Sequence, residues 1–187
     1  MVIWGLKYKK HLLQLWCRAL DENILRRFIM NDMKVYPIGK IENENNQVKI
    51  ILDPTYKRGL KGLSGYSHVQ VLWWMDGCDN PNDRSTLVEK KPYVNGPERI
   101  GVFALRSPER PNPIAVSNVK IAYLDEEAGT IGLYYIDAFS GSMVLDLKPY
   151  TPSIDRIEHP VTPEWCSHWP KSYEESSDFD WASEFNF

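Results

Sequence analysis

Two stretches of this chain group their side chains for chemistry rather than for packing. In the first, Arg106, Ser107, Arg110 and Asn112 follow a β-like run from Gly101 to Leu105 and are interleaved with Pro108, Pro111 and Pro113. Proline fixes φ and biases its predecessor toward extended shapes, so these polar groups are held at low entropic cost. In the second, Asp137 precedes Ser140-Gly141-Ser142, a turn that offers backbone N–H groups and hydroxyls. Asp146, Lys148 and Tyr150 then alternate, which puts them on one side of a strand. A carboxylate, an amine and a phenol on one face are either a satisfied ion pair with a neighbour or a site. Elsewhere, Cys166-x-His168 with His159 nearby is half a metal site without a second ligand pair, so no metal is expected. Gly59, Gly62 and Gly65 neither follow a strand nor open a helix, which excludes a phosphate loop.

The elements that must position these groups are mostly strands. Val35–Ile41, Gln47–Leu52, His68–Met75, Arg99–Leu105, Ile114–Tyr123 and Thr130–Ile136 are rich in β-branched and aromatic residues. Turn chemistry bounds them at Asn43 to Asn46, Asp53-Pro54, Asp76-Gly77, Asn95-Gly96-Pro97 and Asp125 to Gly129. Val119, Ile121 and Tyr123 alternate on one side, followed across the loop by Ile131, Leu133 and Tyr135. Strands this close, without helices between them, predict a mainly β fold, a small antiparallel β-barrel. Before it, residues 11–30 show apolar spacing that predicts a helix, so residues 1–32 read as an N-terminal helical extension. The barrel domain takes residues 33–158. Residues 159–187 form a tail with seven large aromatics, including Trp165, Trp169, Trp181 and Phe185. Side chains of that size are hard to leave in water, so the tail is expected to pack on the barrel or on a partner subunit.

The whole chain is 187 residues with a net charge of -3. Residues 1–32 carry +3, residues 33–158 carry -1 and the tail carries -5. No block is basic enough to announce nucleic acid, so an RNA partner needs a local patch. Arg84, Lys90, Lys91, Arg99, Arg106 and Arg110 form one candidate, with an ordinary solvated loop as the other reading. Three cysteines, widely spaced, suggest reduced thiols and a cytoplasmic protein. No apolar run approaches the roughly 20 residues that span a bilayer.

The order Arg106-Ser107-Pro108-Glu109-Arg110-Pro111-Asn112-Pro113-Ile114, then Val144-Leu145-Asp146-Leu147-Lys148-Pro149-Tyr150-Thr151-Pro152, resembles the TsaA-like domain of the TrmO family. Tyr36-Pro37-Ile38-Gly39, Gly65-Tyr66-Ser67-His68 and Asp155 extend the resemblance over residues 34–158. It implies a small antiparallel barrel that binds S-adenosylmethionine (SAM) near a homodimer interface. The implied reaction is methylation of N6 on threonylcarbamoyl-adenosine at position 37 of tRNA. The family's SAM-contacting positions fall on Asp76, Gly77, Arg106, Val116 and the Ser140-Gly141-Ser142-Met143 turn. Only Gly141 matches the Asp-Gly-Thr-Pro sequence usual at that turn, and Asp76-Gly77 stands where His-Gln is common. A cofactor loop containing Pro-Arg-Gln is replaced here by Glu42 to Asn46.

Methyl transfer requires an aligned nucleophile about 3–3.5 Å from the activated methyl. An N6 nucleophile must also lose a proton, for which Asp146 or Tyr150 is the candidate acceptor and Asp137 the reserve. Arg110, Asn112 and Lys148 are candidate substrate contacts. Two rivals stand beside this reading. One is a SAM- or nucleotide-binding regulatory module without turnover, and the other a methyltransferase for another RNA or a small molecule.

Overall fold

The computed structural model describes residues 34–44 and 47–186, so the helix expected over 11–30 and the Asn45-Asn46 turn lie outside the described residues. Six strands close into an antiparallel barrel in the order β1-β2-β7-β6-β3-β8, with β8 returning to β1. These are β1 (Gly39–Glu44), β2 (Gln47–Leu52), β3 (His68–Trp74), β6 (Ile114–Asp125), β7 (Thr130–Leu133) and β8 (Met143–Pro149). Closure leaves no edge of the sheet open to further pairing. A separate two-stranded ribbon, β4 (Val88–Lys90) with β5 (Arg99–Gly101), lies between β3 and β6 in the chain. Two single-turn helices, α1 (Pro81–Arg84) and α2 (Pro152–Asp155), each begin on a proline. Asn80 caps α1 by accepting from the Asn82 and Asp83 amides.

The period-2 pattern sorts residues as expected along β3, where Val69, Val71 and Trp73 are buried and the residues between them are not. They meet Ile41, Ile50, Leu52, Val119, Ile131, Leu133 and Val144 in one core, joined by Leu60 from a connector and by Ile136. The hairpin from β6 to β7 departs from simple alternation. Pairing shifts between Ile121 and Tyr123, so Leu124 packs against the core and Tyr123 turns out to half exposure. One extra residue on one strand reverses the side every later residue faces. The displaced Tyr123 ring covers Gly132, where any Cβ would meet it at 2.0 Å.

Three expected strands are shorter than their composition suggests. Tyr36–Ile38 precede β1, and Tyr134–Ile136 leave the ladder after Leu133. After Gly101 the chain winds into a 3-10 turn, Val102–Ala104, rather than continuing to Leu105. The tail is a series of 3-10 turns that gather their rings around Tyr93, in the loop joining β4 to β5. Tyr93 lies 5.2 Å from Trp165, 5.1 Å from Trp169 and 5.5 Å from Phe185 between ring centroids. The amide of Val94 donates to the Glu184 carbonyl, and that of Asn186 to the Pro92 carbonyl. The contacts of this tail thus run to the ribbon's loop. At its centre Glu184 is 7% exposed and accepts from Trp169 Nε1 at 2.9 Å and His168 Nε2 at 2.7 Å. His168 is therefore engaged by a carboxylate, and Cys166 Sγ by the Pro163 carbonyl. No group of three metal-ligating side chains comes together among the described residues.

Candidate functional site

One end of the barrel opens into a cavity of about 1150 Å3, a size class suited to a small molecule with an extended shape. Its floor is Trp73, whose indole N–H donates to Ser117 Oγ at 3.0 Å. The end of β3 contributes Met75, Asp76, Gly77 and Cys78, and the start of β6 contributes Ile114, Ala115, Val116 and Ser117. Arg106, Pro108 and Arg110 enter from the proline-rich loop between β5 and β6. Tyr135 to Met143 close the circle. The antiparallel register explains this meeting: Trp74 pairs with Ile114 and Trp73 with Val144, so all these loops leave the same rim.

The Arg106 loop and the Ser140 turn, far apart in sequence, therefore face one hollow. The turn is held by β1 rather than by its own strand. Gly141 N donates to the Ile41 carbonyl at 2.8 Å, Ile41 N to the Ser142 carbonyl at 2.9 Å and Asn43 N to Ser140 Oγ at 3.2 Å. Ser142 N returns to the Phe139 carbonyl. Gly141 has φ of +97°, which a type II turn demands of its third residue. The N–H groups of Gly141 and Ser142, expected from the sequence to face a ligand, are thus occupied by backbone carbonyls. What the turn presents is a shaped wall.

Asp76 and Gly77 form a 3-10 turn with Cys78 after β3. Behind them Asp79 accepts from Arg84 Nη1 at 2.7 Å and from Trp74 Nε1 at 3.0 Å. The Arg84 guanidinium beside it, then the indole N–H, hold the Asp79 carboxyl below its usual range. Arg84 also reaches Asn112 Oδ1 at 3.4 Å, and Met75 N donates to the Pro113 carbonyl, so the two rim loops are tied together. Burial, with Asp83 and Glu109 nearby, pushes the Cys78 thiol up, which disfavours a nucleophilic thiolate.

Asp76, Gly77, Arg106, Val116, Ser140, Gly141, Ser142, Met143, Asp137 and Arg110 all line the cavity. Asp146, Lys148, Tyr150 and Asn112 do not. Asp146 pairs in register with Leu72, and Lys148 with Gln70, on the outward-facing positions of β8. Their side chains bond to each other there, the simpler of the two readings their alternation left open. Tyr150 meets the edge of the His68 ring, and its amide bonds the His68 carbonyl at the strand's far end. Sequence reasoning missed Trp73, Met75, Cys78, Phe103, Tyr135 and Phe139 as cavity residues. An aromatic Phe103 three residues before Arg106 was a usable signal; Trp73 looked like core because it is both core and floor.

The residues present fit a ligand with an apolar ring, hydroxyls and a zwitterionic end. Trp73, Met75, Val116 and Met143 supply apolar surface, Arg106 a cation and Asp76 and Asp137 carboxylates. A Cβ at Gly77 or Gly141 would meet no atom within 4 Å, so both glycines border open space.

A family model described as the tRNA-methyltransferase O N-terminal domain matches residues 29–156. An S-adenosyl-L-methionine-binding protein of Archaeoglobus fulgidus is 38% identical over 109 residues, which is 58% of this chain and 73% of that protein. The tRNA (adenine(37)-N6)-methyltransferase of Escherichia coli K12 is 30% identical over 121 residues, 64% of this chain and 51% of that enzyme. The crystal structure of TrmO from Pseudomonas aeruginosa superposes with a TM-score of 0.53 at 26% identity, covering 70% of this chain and 61% of that one. A second Archaeoglobus relative, 31% identical, is matched over 34% of its length, so this chain spans only part of several relatives. With the family model covering the whole barrel and most of the chain, and the same fold in a solved member, the chain belongs to the tRNA-methyltransferase O family.

Proposed function

We propose that this protein is a SAM-dependent methyltransferase acting on N6 of threonylcarbamoyl-adenosine 37 in tRNA, in the cytoplasm. The observation that carries the reading is the convergence of Arg106, the Asp76-Gly77 turn and the Ser140–Met143 turn on one cavity. The names of relatives that bind S-adenosyl-L-methionine or methylate tRNA support it. The working unit in this reading is the barrel domain over residues 33–158, followed by the tail over 159–187.

Bound SAM would supply an activated methyl group, which leaves the chain to bind, orient and accept a proton. Arg106 would hold the carboxylate end, since a guanidinium matches that group in two-point geometry. Val116, Met143 and Trp73 would cover the apolar ring, and Asp76 would meet a hydroxyl or ammonium. Asp137, inside the cavity, becomes the leading proton acceptor for N6–H within one copy. Asp146 and Tyr150 can serve only from a second copy of the chain, with Lys148 beside them toward substrate. Exposed Phe103, Phe139, Val116 and Met143 at the mouth are apolar surface that a homodimer would cover. A mass in solution equal to one chain would remove that part of the reading.

The tRNA contact narrows from the six cations of the sequence. Arg84 is bound by Asp79 and holds Asn112, Arg110 is taken up by its own loop and Arg106 by the cofactor, leaving Lys91, Arg99 and Lys90, the last paired loosely with exposed Glu98 at 3.9 Å. The test is incubation with methyl-labelled SAM and total tRNA. Label should enter tRNA and be lost on Arg106→Ala. SAM retained without transfer would mark a regulatory binding module, and label only in small metabolites a different substrate.

A further inference from the structure

We propose that Arg110 is a positioning residue for the cofactor site, acting through Arg106 rather than touching tRNA. The inference rests on the reading above, in which Arg106 binds SAM. Three backbone carbonyls bracket position 106, and one guanidinium gathers all of them. Arg110 Nε donates to the Ser107 carbonyl at 2.6 Å, and Nη2 donates to those of Val102 at 2.9 Å and Leu105 at 2.6 Å.

This geometry accounts for the early end of β5. The Val102 carbonyl accepts from both Arg110 and Leu105 N, which curls the chain into a 3-10 turn and keeps Val102 and Leu105 buried. Residue 106 is then thrown to the cavity side, where Arg106 is exposed and lines the hollow. Pro108, Pro111 and Pro113 limit how far the loop can relax, but none can donate a hydrogen bond to it. Three of the five guanidinium N–H groups are occupied, so little of Arg110 remains for a phosphate. A lysine keeps the charge but, as a point donor on a flexible stem, cannot hold three carbonyls in one plane.

The experiment measures SAM dissociation constants by calorimetry, and tRNA binding separately, on the full chain and on Arg106→Ala, Arg110→Ala, Arg110→Lys and the double alanine variant. Arg110→Ala should weaken SAM by roughly tenfold or more, the loss expected for charge-assisted hydrogen bonds, and leave tRNA affinity within about twofold. Adding it to Arg106→Ala should cost less than about twofold more, because both changes remove one function. Arg110→Lys should recover only part. Losses that multiply in the double variant, or tRNA binding that falls while SAM binding holds, would overturn the proposal. If Arg110→Ala melts at assay temperature, the lysine variant decides: SAM affinity equal to that of the original chain overturns it. Should the unaltered chain, or Arg106→Ala, show that Arg106 has no part in binding SAM, the underlying reading has failed, and that is read before any Arg110 variant.

Discussion

At the scale of single residues, side chains that border the cavity differ from those that brace the loops behind it. Arg106 faces the hollow, while Arg84 and Arg110 brace the loops behind it through Asp79 and three carbonyls. Of the candidate proton acceptors Asp137, Asp146 and Tyr150, Asp137 alone lines the cavity. Asp137→Asn is therefore expected to lower the rate of methyl transfer by about 100-fold, the usual reach of a general base, with SAM affinity unchanged by calorimetry. The two glycines at the rim behave differently. Gly141 sits at φ +97°, so Gly141→Val should cost about 1–3 kcal/mol in urea unfolding. Gly77→Ala has open space for its methyl group, so its unfolding midpoint should stay near that of the parent, which the same melts check.

At the scale of elements, the barrel and the tail are stabilised by different means. Ile131 is fully buried where β7 meets β2 and β6, and Ile131→Ala should destabilise by about 2–5 kcal/mol. The tail depends on aromatic packing around Tyr93 and on the acceptor Glu184. The indole N–H of Trp169, then His168, keeps the Glu184 carboxyl below its usual range. A carboxyl depressed in the folded state contributes fully above its unfolded value, and that contribution is lost as pH falls through the folded one. Acid titration followed by tryptophan fluorescence should therefore show the tail loosening below the ordinary carboxylate range. Glu184→Gln should remove that transition; a transition of unchanged position and size would refute the role assigned to Glu184.

For the whole molecule, charge decides how RNA can be approached. The tail carries -5, which repels phosphate, so RNA contact depends on the few exposed cations outside it. Lys90, Lys91 and Arg99 remain for the backbone, and at 0.7–0.9 of a counterion each they give a slope of about -2 for log affinity against log salt. Filter binding over a salt series measures it, and a flat line would exclude this patch as the tRNA contact.

The amino-acid order alone was enough for the antiparallel β character, most strand cores, the turns and the two stretches that meet at the site, because period-2 burial and proline or glycine chemistry are local. It was also enough for the aromatic character of the tail. The partners of those features came only from the folded chain. Whether Asp146 faces a ligand depends on which way β8 lies in the barrel wall, and the register with β3 turns it outward to Lys148. Arg110 and Arg106 are the same residue type four positions apart and both border the cavity, yet Arg110 spends its guanidinium on three backbone carbonyls. Likewise the Gly141 amide is taken by the Ile41 carbonyl of β1, a hundred residues away in sequence order, and the Ser142 amide by Phe139. Local pattern can specify which way a side chain alternates, but hydrogen-bond partners are assigned by closure, when every buried donor and acceptor must find another at once.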